Sequence, residues 1–254
     1  MSGRSRRRLR GRRRGVGEVL VASLVIIAGV CLIVFGVRDI AADFETERHY
    51  ERLGREARDR EAKEAEPSIG RFELVPQAAA WLSVGGTPID YPVAQANEHE
   101  PDYYLFHDLW GEETRVGCPH LDWRCATDDA HRIIYAHRIG TTQLQFSPIS
   151  DAWKQDRFSQ LTTASLVTRK GEETYIPLCA LVVDKQFAGI QRFSMSQMEL
   201  HSMLRSLVDE ASATNPDALT LVGRARKALT LVTCASQQGG QRERTLLVFV
   251  SLNA

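Results

Sequence analysis

Five cysteines and seven histidines are the residues of this chain that can run nucleophilic acyl chemistry. That chemistry needs a thiolate, an imidazole to exchange protons with it, and a donor for the oxyanion. Cys234 is the cysteine in a position that asks for it. It ends the apolar run "LTLVTC" and is followed at once by "ASQQGGQ". A packing cysteine belongs inside such a run, where it acts as a small hydrophobe. One at the exit of a buried strand is placed as a nucleophile. Cys31 lies in an apolar N-terminal run and Cys179 inside "TYIPLCALVV", both inert positions. Cys118 and Cys125 share "GCPHLDWRC" with His120. The ligand number is short and the spacing fits no common zinc pattern, so a disulfide is the expectation outside the cytoplasm.

Among the histidines, His137 is best placed. It closes "RIIYAHR" as Cys234 closes "LTLVTC", so two strand ends at one rim of a sheet can bring the side chains together. A histidine without such context is more often a surface or satisfied core residue. The third group is an arginine from "QRERTLLVFV", whose guanidinium can stabilise an oxyanion. Arg244 borders the last strand, but Arg242 has the same parity, and alternation alone leaves that choice open.

The elements that must position these groups are short. Strands are predicted at Trp81–Val84, Ile89–Val93, Tyr103–Phe106, Arg132–Ala136, Leu166–Arg169, Tyr175–Val183, Leu229–Thr233 and Thr245–Leu252, rich in Val, Ile, Tyr and Thr and bounded by Gly, Pro, Asp or Asn. One helix is predicted to start at Ser150 as N-cap. Another spans Ser196–Glu210, with Met198, Leu200, Met203, Leu204 and Leu207 as its packing stripe. Many short strands with few helices predict a mainly β, closed barrel or sandwich.

The zero net charge conceals an asymmetry. Eight arginines fall in the first fourteen residues, leaving 24 basic against 32 acidic residues downstream. The body is mildly acidic and does not suggest a nucleic-acid binder. After the arginines, Val19–Val37 is a 19-residue run without a charge. As a helix it spans about 28 Å, the thickness of a bilayer core. The positive-inside rule then keeps the N-terminus in the cytoplasm and the rest outside. A cleaved signal peptide fits less well, since "RDIAADFE" is a poor cleavage site. The expected organisation is a basic head at 1–18, a membrane anchor at 19–37, a charged helical stalk at 38–70 whose helix, 38–66, ends at Pro67, and an extracytoplasmic domain at 71–254, with stalk contacts at Phe72 and Leu74.

Taken in order, "WLSVGGTPIDYPVAQ", "DYYLFHDLWGEETRVGCPHLD", "RIIYAHR" and "LTLVTC" resemble the class B sortases over about residues 79–252. The resemblance implies a closed barrel of about eight strands with a few flanking helices. It implies Cys234 as nucleophile, His137 as general acid/base and Arg244 as oxyanion and substrate support, with no cofactor and no metal. The implied partners are secreted proteins bearing a C-terminal sorting motif and an amine from a peptidoglycan cross-bridge. A pilin lysine would instead make the enzyme a pilus polymerase, and an inactive tethered binding module is the reading from another class. The chain departs from the family's pattern at Phe106, Ala136, Arg138 and Val232. The family usually has Gly where Ala136 stands and Asn where Phe106 and Arg138 stand, and class B often has Ser where Val232 stands. None of these removes a catalytic group.

Overall fold

The computed structural model describes residues 14–61, 67–140, 142–235 and 242–253. Two compact units divide the chain, Met1–Thr46 and Glu47–Ala254. A helix, α1, covers Arg14–Glu61. Its stretch Leu20–Arg38 is apolar, exposed and the one described segment long enough to cross a membrane.

In the second unit, α1 presents Tyr50, Leu53 and Ala57, three and four residues apart, as a buried stripe. The even mixture of charges along "HYERLGREARDRE" obscures those three positions. Gly54 sits on the same stripe, where a Cβ would come within 3.1 Å of Asp90. A second helix, α2 (Pro67–Leu74), starts with the proline that was expected to end the stalk. Proline suits a first helical turn, whose N–H has no acceptor anyway; residues 62–66 lie outside the described part. Phe72 is buried and Leu74 packs on the core, at the stalk contacts expected. Asp90 ties these helices to the sheet. Arg58 of α1 pairs with it, Arg71 of α2 lies 3.9 Å away, and the Trp81 indole N–H and Ser83 hydroxyl donate to it at 2.7 and 2.9 Å.

Among the described residues nine strands build the sheet: β1 (Ala80–Val84), β2 (Asp90–Gln95), β3 (His120–Leu121), β4 (His131–Tyr135), β5 (Ala164–Thr168), β6 (Gly171–Asp184), β7 (Ala213–Thr214), β8 (Lys227–Cys234) and β9 (Glu243–Ser251). Their order is β5-β1-β2-β3-β4-β8-β9-β6-β7, and β5 also pairs with β6. That last pairing closes eight strands into a barrel and leaves β7 as an appendix to β6. Strand β6 serves both β5, along Gly171–Tyr175, and β9, along Ile176–Asp184, and its register on β9 shifts between Pro177 and Cys179. Proline lacks a ladder donor, and a bulge there bends the strand.

Alternate residues of β8 enter two different cores. Leu229 and Leu231 face the barrel interior with Trp81, Phe146 and Phe249. Ala228 and Val232 face outward, into a second core with Ile133, Leu246 and Val248 under two helices, α5 (Gln197–Glu210) and α6 (Ala218–Arg224). A strand buried on both faces reads as a near-continuous apolar run, as "ALTLV" does, where the one polar residue, Thr230, hydrogen-bonds to His131.

Seven of the eight predicted strands are present. Tyr103–Phe106 is instead a single helical turn, α3, opened by Pro101-Asp102 and closed by the Leu105 N–H on the Asp102 carbonyl. Its aromatic residues carry strand propensity, but no neighbouring strand offers that segment a ladder. Ser150 does not cap a helix N-terminus. It follows the 3-10 turn Ser147–Ile149 and donates its hydroxyl to Ser147, and the short helix α4 comes later, at Gln155–Phe158. Ser196 does cap α5, in a reciprocal capping box with Glu199. Of the predicted stripe on α5, Leu200, Met203, Leu204 and Leu207 are buried, while Met198 in the first turn is 82% exposed.

His131, at the start of β4, is buried. Its Nδ1–H donates to the Arg192 carbonyl at 2.7 Å and its Nε2 accepts from Thr230 Oγ1 at 2.9 Å. Burial lowers its pKa from 6.5 to about 4. Between those values the unfolded chain binds the proton and the native chain does not, so stability falls as pH drops through this window. The loss expected from this group is on the order of 3 kcal/mol. Urea titrations at pH 7, 5.5 and 4 check it: His131→Gln, which hydrogen-bonds without titrating, is expected to show the shallower pH dependence.

Candidate active site

Cys234 closes β8 directly opposite Arg244 of β9. On the other flank, β4 runs parallel to β8 with Tyr135 against Val232, and the Ala136 N–H continues the ladder to the Val232 carbonyl at 3.2 Å. Two residues on, His137 comes level with Cys234. The three side chains therefore stand in a row across neighbouring strands, about 4.8 Å apart from strand to strand. They share the outer face with Val232 and Leu246 below them. Helices α5 and α6 cover the lower part of that face and leave its upper end open. The opening is a cleft of about 370 Å³, and His137, Cys234 and Arg244 all line it, with Val232 beneath.

The imidazole is held from behind. His137 Nε2 lies 2.8 Å from the Leu105 carbonyl, which can only accept. Nε2 thus carries the hydrogen, and the neutral ring has its lone pair at Nδ1. The turn α3, where residue propensity predicts a strand, supplies that carbonyl. His107 is elsewhere: it stacks on Tyr103 at 3.9 Å and hydrogen-bonds to the Tyr103 carbonyl, outside the cleft.

The structure separates the two arginines that parity could not. Arg242 is exposed and paired with Asp184 at 3.1 Å. Arg244 is half-buried in the cleft wall, and its Nη1 donates to the Glu243 carbonyl at 3.0 Å. Arg138 is a residue whose contribution the sequence concealed. Nothing in "AHRIG" shows that its guanidinium turns away from the cleft, to donate to the Ala235 carbonyl at 2.6 Å and face Asp151 at 3.7 Å. It holds the backbone directly after Cys234.

The far wall of the cleft is a polar network on β3 and its following turn. Arg124 grips Asp122 through two hydrogen bonds of 2.9 and 2.7 Å, and Tyr135 donates to the same carboxylate at 3.1 Å. Burial pushes the Asp122 carboxyl up, but the Arg124 hydrogen bonds and charge more than offset it and hold it below the usual range.

The bridge expected between Cys118 and Cys125 is not formed; both thiols are free and buried. They flank β3 at its two ends. Each donates to a different nearby backbone carbonyl, Cys118 to that of Pro119 at 3.4 Å and Cys125 to that of Asp122 at 3.3 Å. Burial raises their pKa to about 12 and about 11, which makes both poor nucleophiles. Among the described residues no three His, Cys, Asp or Glu converge as a cation site.

No protein-family model matches the chain. Sortase B of Listeria monocytogenes is 38% identical over 61 residues, a stretch that is 23% of this chain and 24% of that protein. The chain thus matches about a quarter of the length of this curated relative. Solved structures match far more of it. The Staphylococcus aureus sortase B–substrate complex superposes with a TM-score of 0.71 at 19% identity, over 84% of this chain and 99% of the other. A mutant form of Clostridium perfringens sortase B gives 0.68 at 20% identity, over 82% and 98%. A sortase B complexed with Gly3 gives 0.70 at 19% identity, over 84% and 99%. The fold is that of the class B sortases.

Two measurements check the site's construction. Intact mass of the non-reduced protein is expected to show no disulfide, with Cys118 and Cys125 alkylated only after unfolding. Arg138→Leu frees the Ala235 carbonyl and leaves Asp151 with Lys154 alone as its ion-pair partner; a loss of about 1.5–3 kcal/mol is expected in urea denaturation.

Proposed function

We propose that this chain is a membrane-anchored cysteine transpeptidase of the sortase type. The observation that supports this reading best is the row of His137, Cys234 and Arg244 at the open end of one face of a sortase B barrel. The Cys234 thiolate attacks a backbone carbonyl, at a Thr in the sorting motif that the sequence resemblance implies. The oxyanion forms beside the Arg244 guanidinium, whose planar fork suits it. Protonated His137 gives its Nδ1 proton to the leaving amine, and the C–N bond breaks to leave a thioester. A second amine then attacks the thioester, neutral His137 takes the proton it releases, and Cys234 leaves as thiolate. The same site can therefore join as well as cut.

The exposed apolar stretch Leu20–Arg38, preceded by arginines, supports a single membrane span with the N-terminus in the cytoplasm and the barrel outside. Secreted proteins emerging from the membrane are then the natural acyl donors, and a cell-wall amine the acceptor. The Gly3 bound in one solved sortase B is a small amine of that kind.

Single-turnover acylation of a sorting peptide tests the assignment. Cys234→Ala is expected to form no thioester. His137→Ala is expected to lose about 10²–10⁴-fold in turnover. Arg244→Lys keeps the charge but not the fork and is expected to be strongly impaired, whereas Arg242→Lys stays close to wild type. A fast Arg244→Lys beside a slow Arg242→Lys would transfer the oxyanion role to Arg242.

A further inference from the structure

His137 can move a proton at Nδ1 because its Nε2–H is committed to the Leu105 carbonyl at 2.8 Å. That carbonyl belongs to α3, a turn of four residues with no ladder of its own. Its support comes from Gly117. With φ at +67°, Gly117 packs so closely that a Cβ on it would stand 2.5 Å from the Tyr104 oxygen and 2.9 Å from the Leu105 oxygen. A side chain there would strike both carbonyls, so glycine is what lets the two backbones touch. The Cys118 N–H then donates to the Tyr104 carbonyl at 2.8 Å.

In a trans peptide the N–H and the C=O point in opposite directions. The Gly117–Cys118 unit gives its N–H to α3, so its carbonyl points away from the turn. Two side chains meet that oxygen, Gln145 Nε2 and the Tyr50 hydroxyl, each at 3.4 Å. Gln145 belongs to the segment beside His137, where the Phe146 N–H donates to the His137 carbonyl at 3.0 Å. It is fully buried, and among the described residues it is the one non-glycine with a left-handed backbone, at φ +52°. Such a conformation is costly for a residue with a side chain and persists where its surroundings enforce it.

Tyr50 comes from the other end of the domain's sequence, 67 residues before Gly117. It lies on α1, 1% exposed, with its ring edge-on to Tyr91 at 5.4 Å. Burial pushes its pKa well above the ordinary phenol value, so the hydroxyl keeps the proton it donates. Packing α1 on the barrel calls for the ring of Tyr50, as it calls for Leu53 and Ala57. It does not call for the hydroxyl.

We propose that Tyr50 is a positioning residue of the active site: with Gln145 it orients the Gly117–Cys118 peptide, which sets the Leu105 carbonyl and, through it, the tautomer of His137. The proposal rests on the transpeptidase reading above. It makes the barrel-bound part of α1 a support of the catalytic histidine as well as a tether. Two donors share one buried carbonyl, so loss of either leaves the other in place, and loss of both orphans the oxygen.

The test uses the full chain in detergent with Tyr50→Phe, Gln145→Met and the two combined. Leu53→Ala is the control, since it loosens the same face of α1 and spares the hydroxyl. In single-turnover acylation of a sorting peptide each single variant is expected to be about threefold slow, and the double variant about thirtyfold or more, beyond the product of the singles. Leu53→Ala is expected to stay within about twofold of wild type while its urea midpoint falls.

The tautomer is read from the imidazole ¹⁵N signals of neutral His137, assigned by their loss in His137→Gln. Wild type is expected to show a protonated Nε2 and an unprotonated Nδ1. In the double variant the two signals are expected to draw together as the ring samples both tautomers, and in Leu53→Ala they are expected to stay apart. Signals that hold their wild-type positions in the double variant overturn the proposal, and so does a wild-type hydrogen on Nδ1. If the double variant does not fold, Tyr50→Phe decides: moved His137 signals support the proposal and unmoved ones overturn it. These spectra need no substrate. Failure of wild type to acylate any sorting peptide counts against the transpeptidase reading, and the ¹⁵N signals still decide the role of Tyr50.

Discussion

The register of three strands is the constraint on which the rest of this molecule depends. Strands β4 and β8 run parallel, and β8 and β9 antiparallel, with Tyr135 against Val232 and Cys234 against Arg244. A slip of one residue in either ladder would turn one of the three side chains of the row from the outer face into the barrel interior. The register is protected by burial on both faces. Leu229 and Leu231 fill the barrel while Ala228 and Val232 fill the second core, so a slipped strand would exchange two apolar sets at once. The helices α5 and α6 serve the site by covering the lower part of that outer face. They lock the strands beneath the cleft and end before they occlude it.

The parallel pairing has a topological cost. A parallel neighbour cannot be reached through a hairpin, so the chain between β4 and β8 must return to the starting end of the sheet. It does so through β5, β6, β7 and the outer helices, and β6 closes the barrel on the way. That closure removes the exposed edges that a sheet of this size would otherwise present. At the starting end of β4, Arg132 is fully buried and paired with Glu173, which also receives Lys227 of β8 and the Tyr175 hydroxyl. Burial pushes the Glu173 carboxyl up, and these partners more than offset it to hold it below its ordinary range. One charge network thus ties β4, β6 and β8 together at the end opposite the cleft.

The cleft itself is held by groups outside the row. The Leu105 carbonyl fixes the His137 tautomer, Arg138 holds the carbonyl after Cys234, and Asp122 with Arg124 stiffens the far wall. Each comes from a loop or turn, and each makes a charged or backbone hydrogen bond, the kind that fixes geometry to fractions of an ångström. Asp90 does a comparable job at the base of the barrel, gathering α1, α2 and β1 onto one carboxylate.

Local pattern determined much of this protein. The apolar runs of β4, β8 and β9, the helix with its Ser196 cap, the long uncharged N-terminal segment, and Cys234 and His137 as strand-end residues were all legible, because period, capping and run length are properties of neighbouring residues. What only the tertiary structure decided is every pairing between distant segments. Alternation could not separate Arg244 from Arg242, since both share a face; the Arg242–Asp184 pair and the wall of the cleft did. A location outside the cytoplasm suggests a bridge between Cys118 and Cys125, and the fold keeps both as free, buried thiols. Strand propensity in Tyr103–Phe106 gave way to a helical turn. The inward turn of Arg138 and the reach of Tyr50 to Gly117 left no trace in their own neighbourhoods. Side-chain partners across a barrel are set by strand order and register, and those follow from burying two cores at once rather than from any single stretch of residues.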